Sequence, residues 1–188
     1  MKEKNILEFL ERTVDRYPDQ VAVDDGQIIL TWKELKELSM RFGTAFSRTV
    51  KEGKPIVFLM EKSGPVLAAM YGAVYAGCFY VIIDPSQPAA RIRDILQVLE
   101  PSLVVTEEGN LPLLNEAGYG GGCELLKDLF QEKIQEEKLR RIRENSCGSD
   151  LLYGIFTSGS TGKPKGITVI HQVVIPLLTN FPRLFEIM

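Results

Sequence analysis

Residues 56–105 read IVFLMEKSGPVLAAMYGAVYAGCFYVIIDPSQPAARIRDILQVLEPSLVV. Three apolar runs stand out: Ile56 to Met60, Phe79 to Ile83 and Leu103 to Val105. They are continuous rather than alternating, the pattern of strands buried on both faces. Between the first two, Ser63 can cap a helix and Pro65 fits its first turn, so Val66 to Ala76 is read as a helix. Asp84-Pro85-Ser86-Gln87-Pro88 cannot be helical and reads as a turn. Ala89 to Leu99 then places Ile92, Ile95, Leu96 and Leu99 on one face of a second helix. Strand–helix–strand–helix–strand predicts an α/β fold, a largely parallel sheet with helices on both faces.

No charged residue occurs from Ser63 to Ile83, close to the length of a bilayer span. Pro65 at a helix start, Gly77 at a helix stop and the strand-like run after it favour a buried helix followed by a buried strand. No membrane partner is expected.

Toward the N-terminus, Ile6, Leu7, Phe9, Leu10, Val14 and Tyr17 have amphipathic helical spacing that ends before Pro18. Val21-Ala22-Val23 and Ile28-Ile29-Leu30 flank Asp25-Gly26, a hairpin turn signal. Thr31 with Glu34 makes a capping box. The helix it opens runs to about Val50, with Leu35, Leu38, Phe42 and Phe46 inward.

The 188 residues are 45% hydrophobic and 25% charged, ordinary for a globular chain able to bury a core without staples. A net charge of −3 gives no electrostatic case for nucleic acid. Cys78, Cys123 and Cys147 are odd in number and lack CxxC spacing, which argues against a disulfide framework or zinc site and points to the cytoplasm. The first twenty residues carry charges throughout and no signal-peptide core.

Toward the C-terminus the regularity breaks. Residues 118–122 are four glycines and a tyrosine, a flexible loop. Residues 124–145 are charged, with Leu126, Phe130, Ile134, Leu139 and Ile142 spaced as one inward face, and are read as a solvated helix linking two strands. Leu151 to Phe156 is a fourth buried strand and Ile167 to Ile170 a further one. His171 opens a last segment interrupted by Pro176 and Pro182.

The stretch joining those two strands is Phe156-Thr157-Ser158-Gly159-Ser160-Thr161-Gly162-Lys163-Pro164-Lys165-Gly166-Ile167. Glycines let a backbone turn sharply and approach a ligand, and successive N–H groups can form an anion nest. Hydroxyls add donors and lysines add charge. It is not a Walker loop, which needs four residues between its glycines and Ser or Thr after the lysine. On composition alone it is either a polyphosphate cradle or a surface hairpin. Elsewhere, His171 reads as a packing or hydrogen-bonding residue near this loop rather than a general base. Asp84 reads as a turn device and Cys78 as core.

Residues 157–166, TSGSTGKPKG, resemble the phosphate-loop signature of the acyl-adenylate-forming superfamily, the AMP-dependent synthetases and ligases. Two further stretches agree in order and spacing. Leu30-Thr31-Trp32-Lys33-Glu34-Leu35 resembles the first core motif of amino-acid adenylation domains. Ala76 to Ile92 resembles the second, where AG-x-x-YVP-x-DP-x-x-P-x-x-RI is usual. Ile82 stands in place of the usual proline, and Tyr75 in place of a common lysine. The second motif inclines the reading to the branch of peptide synthetases and D-alanine–carrier-protein ligases.

The resemblance implies that residues 1–188 are the N-terminal part of an AMP-binding (adenylation) domain. It implies ATP as the nucleotide and Mg2+ bridging its phosphates. Thr157, Ser158, Ser160 and Thr161 would supply hydroxyls, and Gly159, Gly162 and Gly166 close backbone approach. Lys165 would hold the family's lysine position, with Lys163 at a variable one. The adenine and ribose motifs, the acidic metal ligand and the lysine-bearing C-terminal domain have no counterpart in these residues. The catalytic lysine is therefore not assigned, and this chain alone is expected to be inactive. The intact protein would activate a carboxylate, foremost an amino acid, and pass it to a carrier-protein phosphopantetheine thiol. An acyl-CoA-type ligase and a non-catalytic relative that binds a nucleotide or a partner remain alternatives.

Overall fold

The structure, a computed structural model, describes residues 3–158 and 164–184. Helix α1 (Leu7–Arg16) leads into the hairpin β1 (Val21–Asp24) and β2 (Ile29–Thr31), then α2 (Trp32–Thr49). There follow β3 (Pro55–Leu59), α3 (Gly64–Tyr75), β4 (Phe79–Ile83), α4 (Ala89–Leu99) and β5 (Leu103–Thr106). After α5 (Leu111–Glu116) come β6 (Cys123–Leu125), α6 (Glu136–Asn145), β7 (Leu151–Ser158), β8 (Pro164–Ile170) and α7 (His171–Leu184).

The main sheet has the order β6-β5-β3-β4-β7-β8, parallel throughout except for the antiparallel pair β7–β8. Ile56 lies opposite both Tyr80 and Leu103, so β3 is central, and all five of its residues are buried. Alternate residues serve two cores. Ile56 and Phe58 pack with α1, α2, α3 and α6, whereas Val57 and Leu59 pack with α4 and α5. Helices thus cover both faces, as the continuous apolar strands require.

Local chemistry fixes the element starts. Thr31 accepts from the Glu34 N–H while Glu34 accepts from the Thr31 N–H, closing the capping box of α2. Ser63 caps α3 and Pro65 sits in its first turn. Between α2 and α3 the backbones come very close. A Cβ on Gly72 would lie 2.8 Å from the Phe42 Cβ and 3.0 Å from the Gly43 nitrogen.

Residues 124–145 are not one helix. Cys123–Leu125 pairs in parallel with β5 as an edge strand, Leu126–Leu129 is a 3-10 turn, and only Glu136–Asn145 is α-helical. Leu126 and Leu129 are buried, and Phe130 meets Phe42 edge-on at 5.3 Å. The backbone in between is held by α2. The Gln135 N–H donates to Thr44 Oγ1 at 3.1 Å, and the Glu132 carbonyl accepts from Arg41 at 3.1 Å. These tertiary bonds replace those a continuous helix would make internally. Sequence reading also missed α5. Its signals are Pro112 in the first turn and Gly118 at φ 72° just past the end. The last segment is helical through Pro176 and Pro182. Among the described residues no helix is long and apolar enough to cross a membrane, and all three cysteines are free.

Candidate functional site

Parallel pairing carries the C-terminal ends of β3, β4, β5 and β7 to one edge of the sheet. The ends of strands in such sheets are where ligands collect. β7 and β8 form a hairpin whose described ends, Ser158 and Pro164, lie at this edge. Gly159, Ser160, Thr161, Gly162 and Lys163, the centre of the expected phosphate loop, lie outside the described residues. Its flanks are described. Ser158 lies opposite Pro164, Thr157 opposite Lys165, and Phe156 opposite Gly166.

These flanks are shaped by residue type. Cross-strand partners share a face, so Thr157 and Lys165 project together, and both are exposed. They lie on the same face as Tyr153, whose ring stacks on Tyr80 at 6.0 Å. Gly166 is on the other face, where an added Cβ would lie 3.1 Å from the Phe156 ring. A side chain there would require the Phe156 ring to shift by a few tenths of an ångström. Contrary to the sequence reading, β8 is not a buried strand. It is the sheet edge, and Lys165 to Thr168 are all exposed.

Asp84 stands directly after the neighbouring strand β4. Extending the β4–β7 register brings Asp84 level with Thr157. The Ser86 hydroxyl and N–H, the latter donating at 2.8 Å, hold the Asp84 carboxyl below the usual carboxylate range, with help from nearby Lys62. Asp84 is thus an ionised carboxylate committed to its own turn, as expected. At the end of β3 the Leu59 carbonyl accepts from Thr106 Oγ1 at 2.8 Å and from Asn110 Nδ2 at 3.1 Å. Asp25 reaches across from the β1–β2 turn and accepts from the Gly64 N–H at 2.7 Å, tying that hairpin to the start of α3. Three backbone N–H groups hold its carboxyl low, Gly64 first. Sequence reading took Asp25 only as a turn residue; nothing local signals its long-range bond.

His171 is buried at 2% exposure and its Nδ1 accepts from the Ile6 N–H at 3.4 Å. Burial pushes its pKa down to about 4, so it is neutral at physiological pH. The hydrogen-bonding reading holds, but the nearness to the loop does not. Seven residues of β8 separate His171 from the tip, a run of ~20 Å at strand rise. Cys78 is core: desolvation pushes its thiol up to about 12. Among the described residues no group of three or more His, Cys, Asp or Glu could hold a metal ion. A groove of about 1030 Å³ runs between the end of α2 and the start of α6, at the opposite edge of the sheet. Arg48, Lys51, Glu52 and Glu136 give it mixed charge.

With this geometry in view, the family model described as "AMP-binding enzyme" matches residues 10–186. The chain belongs to the AMP-binding enzyme family. The resemblance read from its three motifs is therefore correct at the level of family. Tyrocidine synthase 1 of Brevibacillus parabrevis is 30% identical over 185 residues, which is 98% of this chain and 17% of that protein. Among solved structures, the nonribosomal peptide synthetase FmoA3 in its α-methyl-L-serine-AMP bound form is 27% identical with a TM-score of 0.82, over 97% of this chain and 20% of that one. The N-terminal subdomain of Klebsiella oxytoca NpsA gives a TM-score of 0.78 at 19% identity, over 94% of this chain and 44% of that one. That likeness shows the fold. The chain spans well under two thirds of the length of each of these proteins.

Proposed function

We propose that this chain is the phosphate-holding part of an adenylate-forming enzyme that activates a carboxylate, foremost an amino acid. In that reaction a carboxylate oxygen attacks the α-phosphorus of ATP, the bond to the bridging oxygen breaks, and pyrophosphate leaves with its electron pair. The observation that carries the reading is the β7–β8 hairpin. It presents Thr157 and Lys165, both within TSGSTGKPKG, side by side at the strand-end edge of a parallel sheet. Family membership and the amino-acid adenylate named for FmoA3 support the substrate class.

In this reading the Thr157, Ser158, Ser160 and Thr161 hydroxyls and the backbone at Gly159, Gly162 and Gly166 grip the leaving phosphates. Lys165, with Lys163 just before it in sequence, neutralises charge that grows as pyrophosphate departs. Donors placed in advance at such a position lower a barrier by about 10²–10³ in rate each. Mg2+ would accompany the ATP phosphates and offset their charge, and among the described residues no group of three or more His, Cys, Asp or Glu could hold it. The sulfur of a carrier-protein phosphopantetheine thiol then attacks the acyl carbonyl, forming a thioester as the bond to AMP breaks and AMP leaves.

Titration calorimetry of ATP and pyrophosphate against the wild-type chain and Lys165→Ala tests the grip. A lost charge-assisted bond of about 1.5–3 kcal/mol predicts at least tenfold weaker binding. Equal affinities would remove Lys165 from the site. The 188-residue chain alone should show no carboxylate-dependent ATP–pyrophosphate exchange, and measurable exchange would overturn that part of the proposal.

A further inference from the structure

Gly166 is a weak point in β8, and it sits directly beside Lys165. Glycine loses more backbone freedom on ordering than any other residue. Inside a strand it also offers no side chain to pack. Among the described strands β8 has a neighbour on one side only. Lys165 to Thr168 are all exposed, so their own side chains add little restraint. A lysine that is to meet a phosphate at a set place needs its backbone held by something else.

Phe156 supplies the restraint. It is the cross-strand partner of Gly166, and its ring takes the space that a side chain at 166 would fill. Ring atoms Cε1 and Cζ lie 3.1 Å from where a Cβ on Gly166 would stand, and Cε2 lies 3.7 Å away. The same side chain packs against the core that Val57, Leu59, Val81 and Ile83 build with α4 and α5. One residue therefore joins the glycine of the edge strand to a core made by the central strands. Aromatic cover of a glycine on an edge strand is a general device for pinning register. The next pair toward the loop, Thr157 and Lys165, projects from the opposite face. The ring thus lies behind these two residues and does not share their surface.

We propose that Phe156 is a positioning residue for the phosphate site: its ring pins the backbone at Gly166 and so fixes the direction of Lys165 beside Thr157 before a ligand arrives. The proposal rests on the phosphate reading of the hairpin. Backbone order already present in the free protein does not have to be created on binding. Freeing about one residue corresponds to roughly fivefold or more in affinity.

The test is titration calorimetry of pyrophosphate with Mg2+ against the whole chain and its variants. Phe156→Leu keeps an apolar side chain and removes the ring, whereas Phe156→Tyr keeps the ring. Phe156→Leu should bind about fivefold more weakly or worse, and Phe156→Tyr within about twofold of wild type. In a Lys165→Ala background, Phe156→Leu should add less than about a twofold loss, because the ring acts through Lys165. Backbone ¹⁵N relaxation should show added fast motion at Lys165 and Gly166 in Phe156→Leu, with Val169 and Ile170 unchanged. Urea unfolding establishes that each variant is folded at the temperature of the titration. Unchanged binding in Phe156→Leu, an equal loss in both backgrounds, or unchanged motion at Lys165 would each overturn the positioning role. If Lys165→Ala itself leaves pyrophosphate binding unchanged, the phosphate reading falls and this role with it. If Lys165→Ala weakens binding and Phe156→Leu does not, only the positioning role falls.

Discussion

β3 and β8 are both strands of the main sheet and meet opposite fates. Pro55-Ile56-Val57-Phe58-Leu59 is wholly buried, with strands on both sides and helices on both faces. Lys165-Gly166-Ile167-Thr168 stands at the sheet edge, with Ile167 at 50% exposure. Composition and position act together: β3 is apolar and central, whereas β8 carries Lys165, Gly166 and Thr168 and lies at the edge. The central strand holds the fold together. The edge strand is free to carry a loop, and Thr157 and Lys165 beside that loop are exposed.

The largest effect separating the two ends is expected at Phe58. Its ring is fully buried, 6.0 Å from Phe46 and 6.5 Å from Tyr80. Phe58→Ala should cost about 4 kcal/mol in urea unfolding, from lost transfer energy plus a cavity. Ile167→Ala should cost less than about 0.5 kcal/mol. Similar costs would erase the distinction.

His171 joins the two ends, since it closes β8 and binds the start of α1. Its pKa is lowered from 6.5 to about 4, by burial above all. The unfolded chain therefore binds more protons than the folded one between those values. The stabilisation is complete above pH 6.5 and is lost as pH falls toward 4, by roughly 2–3 kcal/mol. His171→Asn, which keeps an acceptor, should flatten that slope. Urea midpoints at about pH 7 and about pH 4.5 for both proteins decide it, and parallel losses would discount the histidine.

Gly72 probes the well-packed end in another way. Alanine gains up to ~1 kcal/mol of helix propensity, but its Cβ would strike the Phe42 Cβ and the Gly43 and Ser39 backbone at 2.8–3.0 Å. Backbone cannot give way cheaply, so the overpacking cost, ~1–3 kcal/mol, should win and Gly72→Ala should melt lower than wild type. A higher melting temperature would mean that α2 and α3 can separate without cost.

The sequence made the covered end legible because its signals are local and redundant. Thr31 and Glu34, Ser63 and Pro65, and the three apolar runs each predict the same elements the structure contains. Residues 124–135 were misread because Leu126, Phe130 and Ile134 keep helical spacing while Thr44 and Arg41, some ninety residues away, take the backbone bonds. The loop was legible as a motif, since its glycines, hydroxyls and lysines stand together in sequence. Its surroundings were not. That β8 is an edge strand, and that His171 sits at the far end of it, depends on the strand order, which no local spacing encodes.

The smallest expected effect is the most exacting for the comparison. Leu177 is 56% exposed, and its helical neighbours Pro176 and Leu178 to Asn180 are exposed as well. Truncating it leaves no cavity, and alanine is at least as good a helix former as leucine. Leu177→Ala in the isolated chain should therefore change stability by less than about 0.5 kcal/mol, against the roughly 2–5 kcal/mol typical of a buried leucine. Equilibrium unfolding at two protein concentrations measures this directly. A loss above ~1.5 kcal/mol, or one that grows with concentration, would show that α7 is already packed against something in solution. The contrast between a covered and an uncovered end of the sheet would then describe one copy of the chain and not the protein as it exists in solution.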